Sequence, residues 1–337
     1  MTLELVGISV LWLFLFGYVI IGSIDFGAGF FSTYSDWAGK KHLIHKIIQR
    51  YLSPVWEVTN VFLVFFFVGI VGFFPKTAYY YGTALLVPAS ISIILLAIRG
   101  SYYAFGTYGV KDNKWYAFFY GMTGIFIPAS FTTVLTISEG GFIDIQDNRI
   151  TLLYGELLRS PYSWGVVLLA IVSVLFISAS FLTYYAHAAG DEKATRLLRM
   201  YSLLWSFPSI LAAFAVMFTL KGHNPVHFSK MLDIGWVFVL SALFFAGAVY
   251  LIYKKSQYGT AFVLVVLQYG FAFFGYGFSH YPYLLYPHLT IYDGFTNPTM
   301  AIALIIAFIA GLLLLLPSLY LLMRLFLFNK KYVKGEI

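Results

Sequence analysis

The stretch LWLFLFGYVIIGSIDFGAGFF, residues 11–31, decides the fold because it is long and apolar enough to cross a membrane as a helix. Asp25 is the only charged residue in it. Apolar stretches of this kind recur to the end of the 337-residue chain, in which 61% of the residues are hydrophobic and 10% are charged. An average soluble protein has about 25% charged residues. The composition therefore predicts an all-α, polytopic integral membrane protein.

Nine apolar segments are predicted to be transmembrane helices. They cover residues 3–31, 52–73, 79–98, 115–137, 163–187, 199–220, 233–253, 259–279 and 299–327. No basic region precedes the first segment, so it is predicted to be a retained helix rather than a signal peptide. The nine segments are compatible with a single transmembrane domain over residues 1–337, made of two four-helix bundles, with possible halves at 1–137 and 163–279 and a peripheral helix at 299–327.

Lysine and arginine are distributed unequally between the two sets of connecting loops. If the N-terminus lies outside, 16 of the 21 Lys and Arg residues fall on the inner side and five on the outer side. Because the cytoplasmic loops of membrane proteins are enriched in Lys and Arg, this distribution predicts that the N-terminus is outside and the C-terminus inside.

Asp25 is a candidate functional residue, because an ionisable group at the centre of a membrane helix costs about 2.5–3.5 kcal/mol on insertion scales. Gly22 and Gly29 lie on the same helical face, within about 60° of it. Glycines on that face let another helix approach closely and hide the acid from lipid. We therefore predict a role for Asp25 in proton transfer and a packing role for the two glycines. The alternative is a carboxylate near the headgroups that caps a helix or pairs with an inner-loop lysine.

A second acid, Glu57, lies near the predicted start of the second helix. Ser53, Glu57 and Asn60 share one helical face and form a polar stripe. Two protonatable groups, Asp25 and Glu57, at similar depth on successive helices predict the mouth of a proton path reached from the inner side. The alternative is that Pro54 occupies the first turn of the helix and Glu57 complements its dipole.

Three further residues carry weaker signals. Arg99 is predicted at the inner end of the third helix, where it could hold Glu57 or Asp25 in a proton pathway or serve only as a positive-inside residue. Trp56 is predicted to be an interfacial anchor. Asp293 precedes the last helix, where a structural role as the cap of a turn and a functional role are equally good interpretations.

Haem or metal binding would need suitably placed ligands. Only His187 of the seven histidines falls within a predicted span. His223 and His227 are four residues apart, but Pro225 between them argues against a regular helical metal pair. The chain has no cysteine, which excludes thiolate-bound iron–sulfur clusters and covalently attached c-type haem. We therefore expect the chain alone to bind neither haem nor metal, and it contains no recognisable nucleotide-binding or nucleophile–base motif.

Four motifs occur in order along the chain: SIDFGAG at 23–29, SPVWEVTNVFLV at 53–64, FFP at 73–75 and LTIYDGFTNPT at 289–299. Together with the nine predicted spans they resemble subunit II of the cytochrome bd quinol oxidases, over essentially the whole chain. The first two motifs are the most distinctive. The helix 1 motif of that family often contains two acids, whereas here Gly22 and Ser23 replace its first two residues and only Asp25 remains. In the second motif Glu57 stands where Asp is common.

The resemblance implies a subunit of a terminal oxidase that oxidises quinol, reduces dioxygen to water and builds a proton gradient without pumping. It implies that the b-type and d-type haems and the quinol site belong to the partner, subunit I, and that this chain has no catalytic centre of its own. It also implies a multi-pass location in the bacterial cytoplasmic membrane and proton access from the cytoplasm. The resemblance also implies a structural quinone or lipid near Trp56 and a small single-span accessory subunit.

Two other classes of function remain as alternatives. A proton-coupled secondary transporter would use Asp25 and Glu57 to couple protons to a solute, but transporters often have broken helices in matching positions of two halves, and none are evident here. A purely structural scaffold would use both acids as caps. A subunit of an oxidase should be purified together with a haem-bearing partner, whereas a transporter should not. The sequence leaves open whether the quinol is menaquinol or ubiquinol.

Overall fold

The structure of the chain is a computed structural model, and it describes residues 2–108, 114–146 and 149–327. Within the helices, some side chains lie outside the described set, namely those of residues 41, 45–46, 49–58, 103–108, 114, 116–117 and 326–327. The predicted site residues Ser53, Trp56 and Glu57 are among them.

Helices make up most of the described chain. In order they are α1 (Leu3–Trp37), α2 (Lys41–Phe73), α3 (Pro75–Ala84), α4 (Leu86–Tyr108), α5 (Lys114–Ser138), α6 (Tyr154–Arg159), α7 (Pro161–Ala188), α8 (Glu192–His223), α9 (Pro225–Asp233), α10 (Gly235–Tyr253), α11 (Tyr258–His280) and α12 (Pro298–Leu322). A π-helical turn, Met323–Leu327, follows α12. Two antiparallel hairpins pair β1 (Ile143–Gln146) with β2 (Arg149–Leu152) and β3 (Tyr283–Leu285) with β4 (Leu289–Thr290).

Seven described helices are long and apolar enough to cross a membrane: α1, α5, α7, α8, α10, α11 and α12. An eighth span results if Thr59–Phe73 of α2 and α3, which are bent by 117° relative to each other, are counted together. Residues Leu86–Tyr102 of α4 form a shorter apolar helix. The prediction of an all-α, polytopic membrane protein is therefore confirmed in its coarse form, with small hairpins in two of the connections.

The predicted third span, 79–98, differs most from the structure. Residues up to Ala84 belong to α3, and α4 begins only at Leu86. The sharp bend before α3 comes at Pro75, which has no N–H to continue α2 and which disfavours helical backbone at the preceding Phe74. The aromatic segment TAYYYG in α3 is typical of a membrane interface.

The connection between α1 and α2 is also much shorter than predicted. The sequence suggested an inner loop at about residues 31–51, whereas α1 continues to Trp37 and α2 begins at Lys41. Both helices are longer than the roughly 20 residues that span the hydrocarbon core, and Lys40 and Lys41 supply basic charge at their junction. As a result, position 57 lies well inside α2, and its interpretation as a helix cap is wrong.

Helix α1 is at the centre of the packing, because it lies against α2, α5, α7 and α12. One buried apolar cluster joins α1, α2, α7 and α8, through residues such as Ile24, Ile47 and Leu198. Helix α1 approaches α7 closely at Gly27, where a Cβ atom would collide with the side chain of Ser178. The absence of a side chain at position 27 therefore lets the two helices meet.

Candidate functional site

The first candidate site is a buried ion pair between α1 and α4. Nε of Arg99 lies 2.9 Å from Oδ2 of Asp25, and the two side chains have exposed fractions of only 1% and 3%. Nη2 of Arg99 also donates to the backbone carbonyl of Asp25 at 2.6 Å. The sequence placed Arg99 at the end of its helix, but α4 continues to Tyr108. Arg99 is therefore an interior residue, held by Asp25 at two points.

Helix α5 completes the surroundings of the Arg99 guanidinium. Nη1 lies 3.4 Å from the carbonyl of Tyr120 and 3.3 Å from the hydroxyl of Thr123, while Nη2 lies 3.2 Å from the Tyr120 hydroxyl. The ring centroids of Tyr120 and Phe26 lie 4.4 and 5.2 Å from the central carbon, within the range of cation–π attraction. Two helices, α1 and α5, thus supply partners to one buried cation on α4, as the cost of burying a charge requires.

The two glycines predicted beside Asp25 have different surroundings. A Cβ atom at Gly29 would lie 2.9 Å from Nη1 of Arg99 and 3.0 Å from the Tyr120 ring. At Gly22 it would lie 3.7 Å from Cγ2 of Thr59 on α2, which is ordinary van der Waals contact. Gly29 therefore makes room for the arginine, and Gly22 lies where α1 faces α2.

The contact between Gly22 and Thr59 also fixes the relative depth of the two predicted acids. Helices α1 and α2 run in opposite directions, joined by the short turn at 38–40. Asp25 lies three residues beyond Gly22 and Glu57 lies two residues before Thr59, so both are displaced toward the same, turn-containing end by about 3–5 Å. The backbone positions are therefore at similar depth, while the side chain of Glu57 lies outside the described set.

Two other predicted residues are placed as follows. Asn60 is half-buried on α2, next to the buried Thr59. Asp293 lies in the connection before α12, where its Oδ2 accepts hydrogen bonds from the backbone N–H of Thr290 at 2.7 Å and the Thr290 hydroxyl at 2.6 Å. These hydrogen bonds from Thr290 hold the pKa of Asp293 below its ordinary value. The geometry of Asp293 is that of a residue that stabilises a turn.

A second buried polar cluster lies at the opposite ends of the helices, around Glu139. Its Oε1 lies 2.8 Å from Nδ1 of His227 and 3.6 Å from Nδ1 of His280. Tyr276 donates to Oε1, and the side-chain amide of Asn224 donates to Oε2 at 2.9 Å. We refer to Glu139, Asn224, His227, Tyr276, Ser279 and His280 as the Glu139 cluster.

Local sequence explains why Glu139 is buried although it follows a helix end. Gly140 and Gly141 both have positive φ, of 85° and 79°, and reverse the chain directly after the acid. Asn224 caps α9 by accepting from the N–H of His227, at 3.1 Å, which fixes the position of that histidine. Three helix ends, those of α5, α8 and α11, thus meet at this cluster.

The electrostatics of the Glu139 cluster favour an ionised acid. Burial of the Glu139 carboxyl opposes ionisation, but hydrogen bonds from His227 and Tyr276 and the neighbouring imidazole of His280 outweigh it. The pKa of Glu139 therefore lies below its ordinary value. An anion is thus held at a place where two imidazoles converge.

Sequence reasoning did not identify this cluster, because its members come from three segments that packing alone brings together. A usable signal was present in the topology. Glu139 follows the end of one apolar segment and His280 follows the end of another, and the alternation of spans places both on the same side. Ionisable groups at the same level of a membrane protein are candidates for contact.

Comparisons with known proteins agree with one another. The sequence model of the family described as cytochrome bd terminal oxidase subunit II matches residues 3–326. A protein of Bacillus subtilis (strain 168), described as putative cytochrome bd menaquinol oxidase subunit II, is 33% identical over 344 aligned residues, covering 99% of each chain. A chain in the structure of bd oxidase from Geobacillus thermodenitrificans is 67% identical and superposes with a TM-score of 0.85, covering 98% of this chain and 100% of that one.

Proposed function

This chain belongs to the cytochrome bd terminal oxidase subunit II family, and we propose that it conducts protons from the cytoplasm toward the oxygen-reducing site of the oxidase. The chain is a multi-pass protein of the bacterial membrane and a member of a respiratory oxidoreductase complex with subunit I. The family leaves the alternative of a secondary transporter without support.

The observation that carries the proposal is the Asp25–Arg99 pair inside the membrane domain. A carboxylate in this position is expensive to ionise without a counter-charge, and Arg99 supplies one at 2.9 Å. A proton that reaches Asp25 neutralises the carboxylate and weakens its attraction to Arg99. Loss of that proton restores the pair, so the arginine returns the acid to its ionised, receptive state after each transfer.

Glu57 is proposed as the residue that passes protons to Asp25. The two residues lie at similar depth on antiparallel helices, which supports a short transfer between them directly or through water. Ser53 and Asn60 are proposed to line the same path, because they share the helical face of Glu57. The roles of Trp56 in binding a structural quinone or lipid and of a small accessory subunit remain predictions from the family resemblance.

The proposed topology has nine spans, counting α2 and α4 as separate crossings beside the seven other long helices. The N-terminus is proposed to lie outside and the C-terminus inside, in accordance with the Lys and Arg distribution. We further propose one membrane domain whose first half contains α1, α2, α4 and α5 and whose second contains α7, α8, α10 and α11. The buried apolar cluster shared by α1 and α7 supports a continuous domain, and α12 packs beside α1 and α2.

The haems of the oxidase are proposed to lie in subunit I. In the described part of this chain, His227 and His280 are the buried histidines, and their ring centres lie only 4.9 Å apart in an edge-to-face arrangement. That spacing leaves no room for a macrocycle between them. His187 is exposed at the end of α7. These described histidines do not form a pair of axial haem ligands, and the proton path is proposed as the contribution of this subunit. The Bacillus relative is described with menaquinol, and we propose the same quinol here.

The test is an Asp25→Asn variant of the purified two-subunit oxidase. We expect quinol-driven oxygen consumption to fall by roughly a hundredfold or more, the lower end of the general acid–base range, with an unchanged reduced-minus-oxidised haem spectrum. Asp36→Asn, on the last turn of the same helix, is the matched control and should retain activity. Normal turnover of Asp25→Asn with intact haems would contradict the proposal. Loss of the haems would favour a purely structural pair, and Asp25→Glu would then restore them.

A further inference from the structure

The Glu139 cluster brings three potential metal ligands, one carboxylate and two imidazoles, close together. We propose that Glu139, His227 and His280 form a binding site for one divalent transition-metal ion such as Zn²⁺. This site lies at the ends of α5, α8 and α11, away from the Asp25–Arg99 pair. The proposal does not depend on the proton-transfer role of Asp25.

The ligand geometry supports this proposal. One ligand atom from each of the three residues lies within 4.8 Å of the other two. The two oxygen–nitrogen distances from Oε1 of Glu139, 2.8 Å to His227 and 3.6 Å to His280, bracket the separation of about 3.3 Å between tetrahedral ligands bound at 2.0–2.1 Å. The remaining separation, between the two imidazole nitrogens, is at most 4.8 Å, so the two rings would move together by up to about 1.5 Å around a bound ion. Imidazole and carboxylate are a ligand combination that Zn²⁺ prefers.

His227 is held on both sides of its ring. Its Nε2 lies 2.7 Å from the Ser279 hydroxyl, whose oxygen also lies 3.0 Å from the carbonyl of Gly275 and 2.9 Å from that of Tyr276. Its Nδ1 lies 2.8 Å from Oε1 of Glu139 and shares a proton with that carboxylate. A metal ion bound by both groups would displace this proton, because metal ligands bind in their deprotonated form.

His280 distinguishes a metal ion from a single extra proton. A proton on His227 would satisfy its contact with Glu139 without further help. Yet Nδ1 of His280 lies 3.6 Å from the same oxygen, beyond hydrogen-bond distance, and its buried Nε2 has no hydrogen-bond partner among the described residues. A shared ion would account for two imidazoles beside one carboxylate, because it would bind all three side chains.

Three residues around the ligands hold the ligand side chains in position. Asn224 and Tyr276 hold the Glu139 carboxylate, and Ser279 holds His227, as outer partners do in metal sites. The ammonium of the nearby Lys230 donates to the carbonyl of Tyr281 at 2.8 Å and lies over the Tyr283 ring. His280 has an exposed fraction of 9%, the largest of the three ligands.

The test uses the purified two-subunit oxidase after removal of loosely bound metal by a chelator, with Zn²⁺ as the probe. Calorimetric titration should detect a site that is lost or weakened roughly tenfold or more in His280→Gln and in Glu139→Gln. His223→Gln is the matched control. His223 is stacked between Phe142 and Tyr162 and bonds to the Gly140 carbonyl, so it is close to the cluster but not a ligand.

Three results would decide the matter. Zn²⁺ binding to wild type and to His223→Gln but not to the two ligand variants supports the site. Absence of Zn²⁺ binding in wild type, or equal affinity in His280→Gln, overturns it. If a variant loses its fold, as judged by the haem spectrum, X-ray absorption of the wild-type zinc complex decides instead. A first shell of two nitrogens and carboxylate oxygen at about 2.0–2.2 Å supports the proposal, and any other shell overturns it.

Discussion

Ser178 on α7 donates a hydrogen bond to the backbone carbonyl of Ile24 on α1, at 2.9 Å. The next carbonyl along α1, that of Asp25, accepts from Arg99 on α4. Two successive carbonyls of α1 therefore bind two other helices beside the buried acid. These two hydrogen bonds fix the backbone at Asp25 independently of the contacts of its carboxylate.

The close approach of α1 and α7 predicts that Gly27→Ala is destabilising. The added Cβ would meet the side chain of Ser178 and the backbone carbonyl of Val174, and the backbone cannot rotate aside. We expect a loss of about 1–3 kcal/mol, as for overpacked cores, seen as a lower midpoint of thermal unfolding by tryptophan fluorescence. Gly82→Ala is the control, because Gly82 has nothing within 4 Å and should tolerate the change.

Arg99→Gln is predicted to be more damaging than removal of both charges. It leaves the Asp25 carboxylate buried without its counter-charge, which costs about 3–5 kcal/mol in buried ion pairs. The double variant with Asp25→Asn replaces the pair by two neutral amides and should recover part of that loss. Thermal unfolding of the four members of this cycle measures the coupling. Equal destabilisation by Arg99→Gln with and without Asp25→Asn would show that the pair does not contribute.

Glu57→Gln is predicted to slow turnover of the oxidase without changing the haem spectrum, since the amide cannot carry a proton from the cytoplasm. Glu57→Asp keeps an acid that is one methylene shorter, so we expect it to retain more activity than Glu57→Gln. Oxygen consumption at saturating quinol is the measurement. Unchanged turnover in Glu57→Gln would remove this residue from the path.

The turn at Asp293 should be sensitive to acid. Hydrogen bonds from Thr290 hold the folded-state pKa of Asp293 below its ordinary value, so its ionised form stabilises the turn above the unfolded-state pKa of about 3.9. That contribution is lost as the pH falls through the lower folded-state pKa. Asp293→Asn should therefore reduce the midpoint of thermal unfolding at pH 7 and lose its effect in acid. Thr290→Val should reproduce part of the change at pH 7, and a pH-independent difference would argue against this account.

Fold class was predictable from the sequence because the bilayer demands long apolar helices, and composition alone reveals these. Asp25 and Arg99 were both recognisable as charged groups whose burial in the membrane costs free energy. Their pairing was not, because the sequence offered Asp25 and Glu57 as equally good partners for Arg99. The packing of α4 on α5 and of α5 on α1 brings Arg99 to Asp25.

The Glu139 cluster and the Gly27 contact were not predictable for a related reason. Glu139 meets His227 across 88 residues of sequence, and Gly27 meets Ser178 on α7. Neither pair belongs to a periodic pattern within one helix, so no such pattern in the sequence indicates the contact. The ends of α1 and α2 were also misplaced, because apolar content locates the hydrocarbon core and not the point where a helix stops in water.

The sequence separation of the buried ion pair has a consequence for biogenesis. Arg99 follows Asp25 by 74 residues, so α1 and α2 are synthesised before the guanidinium that neutralises this acid exists. During synthesis the carboxylate must stay hydrated or protonated. The packing of α1, α4 and α5 around Arg99 can form only after α5, the third of these helices, has been inserted. The order of translation therefore imposes an order of assembly on the membrane domain.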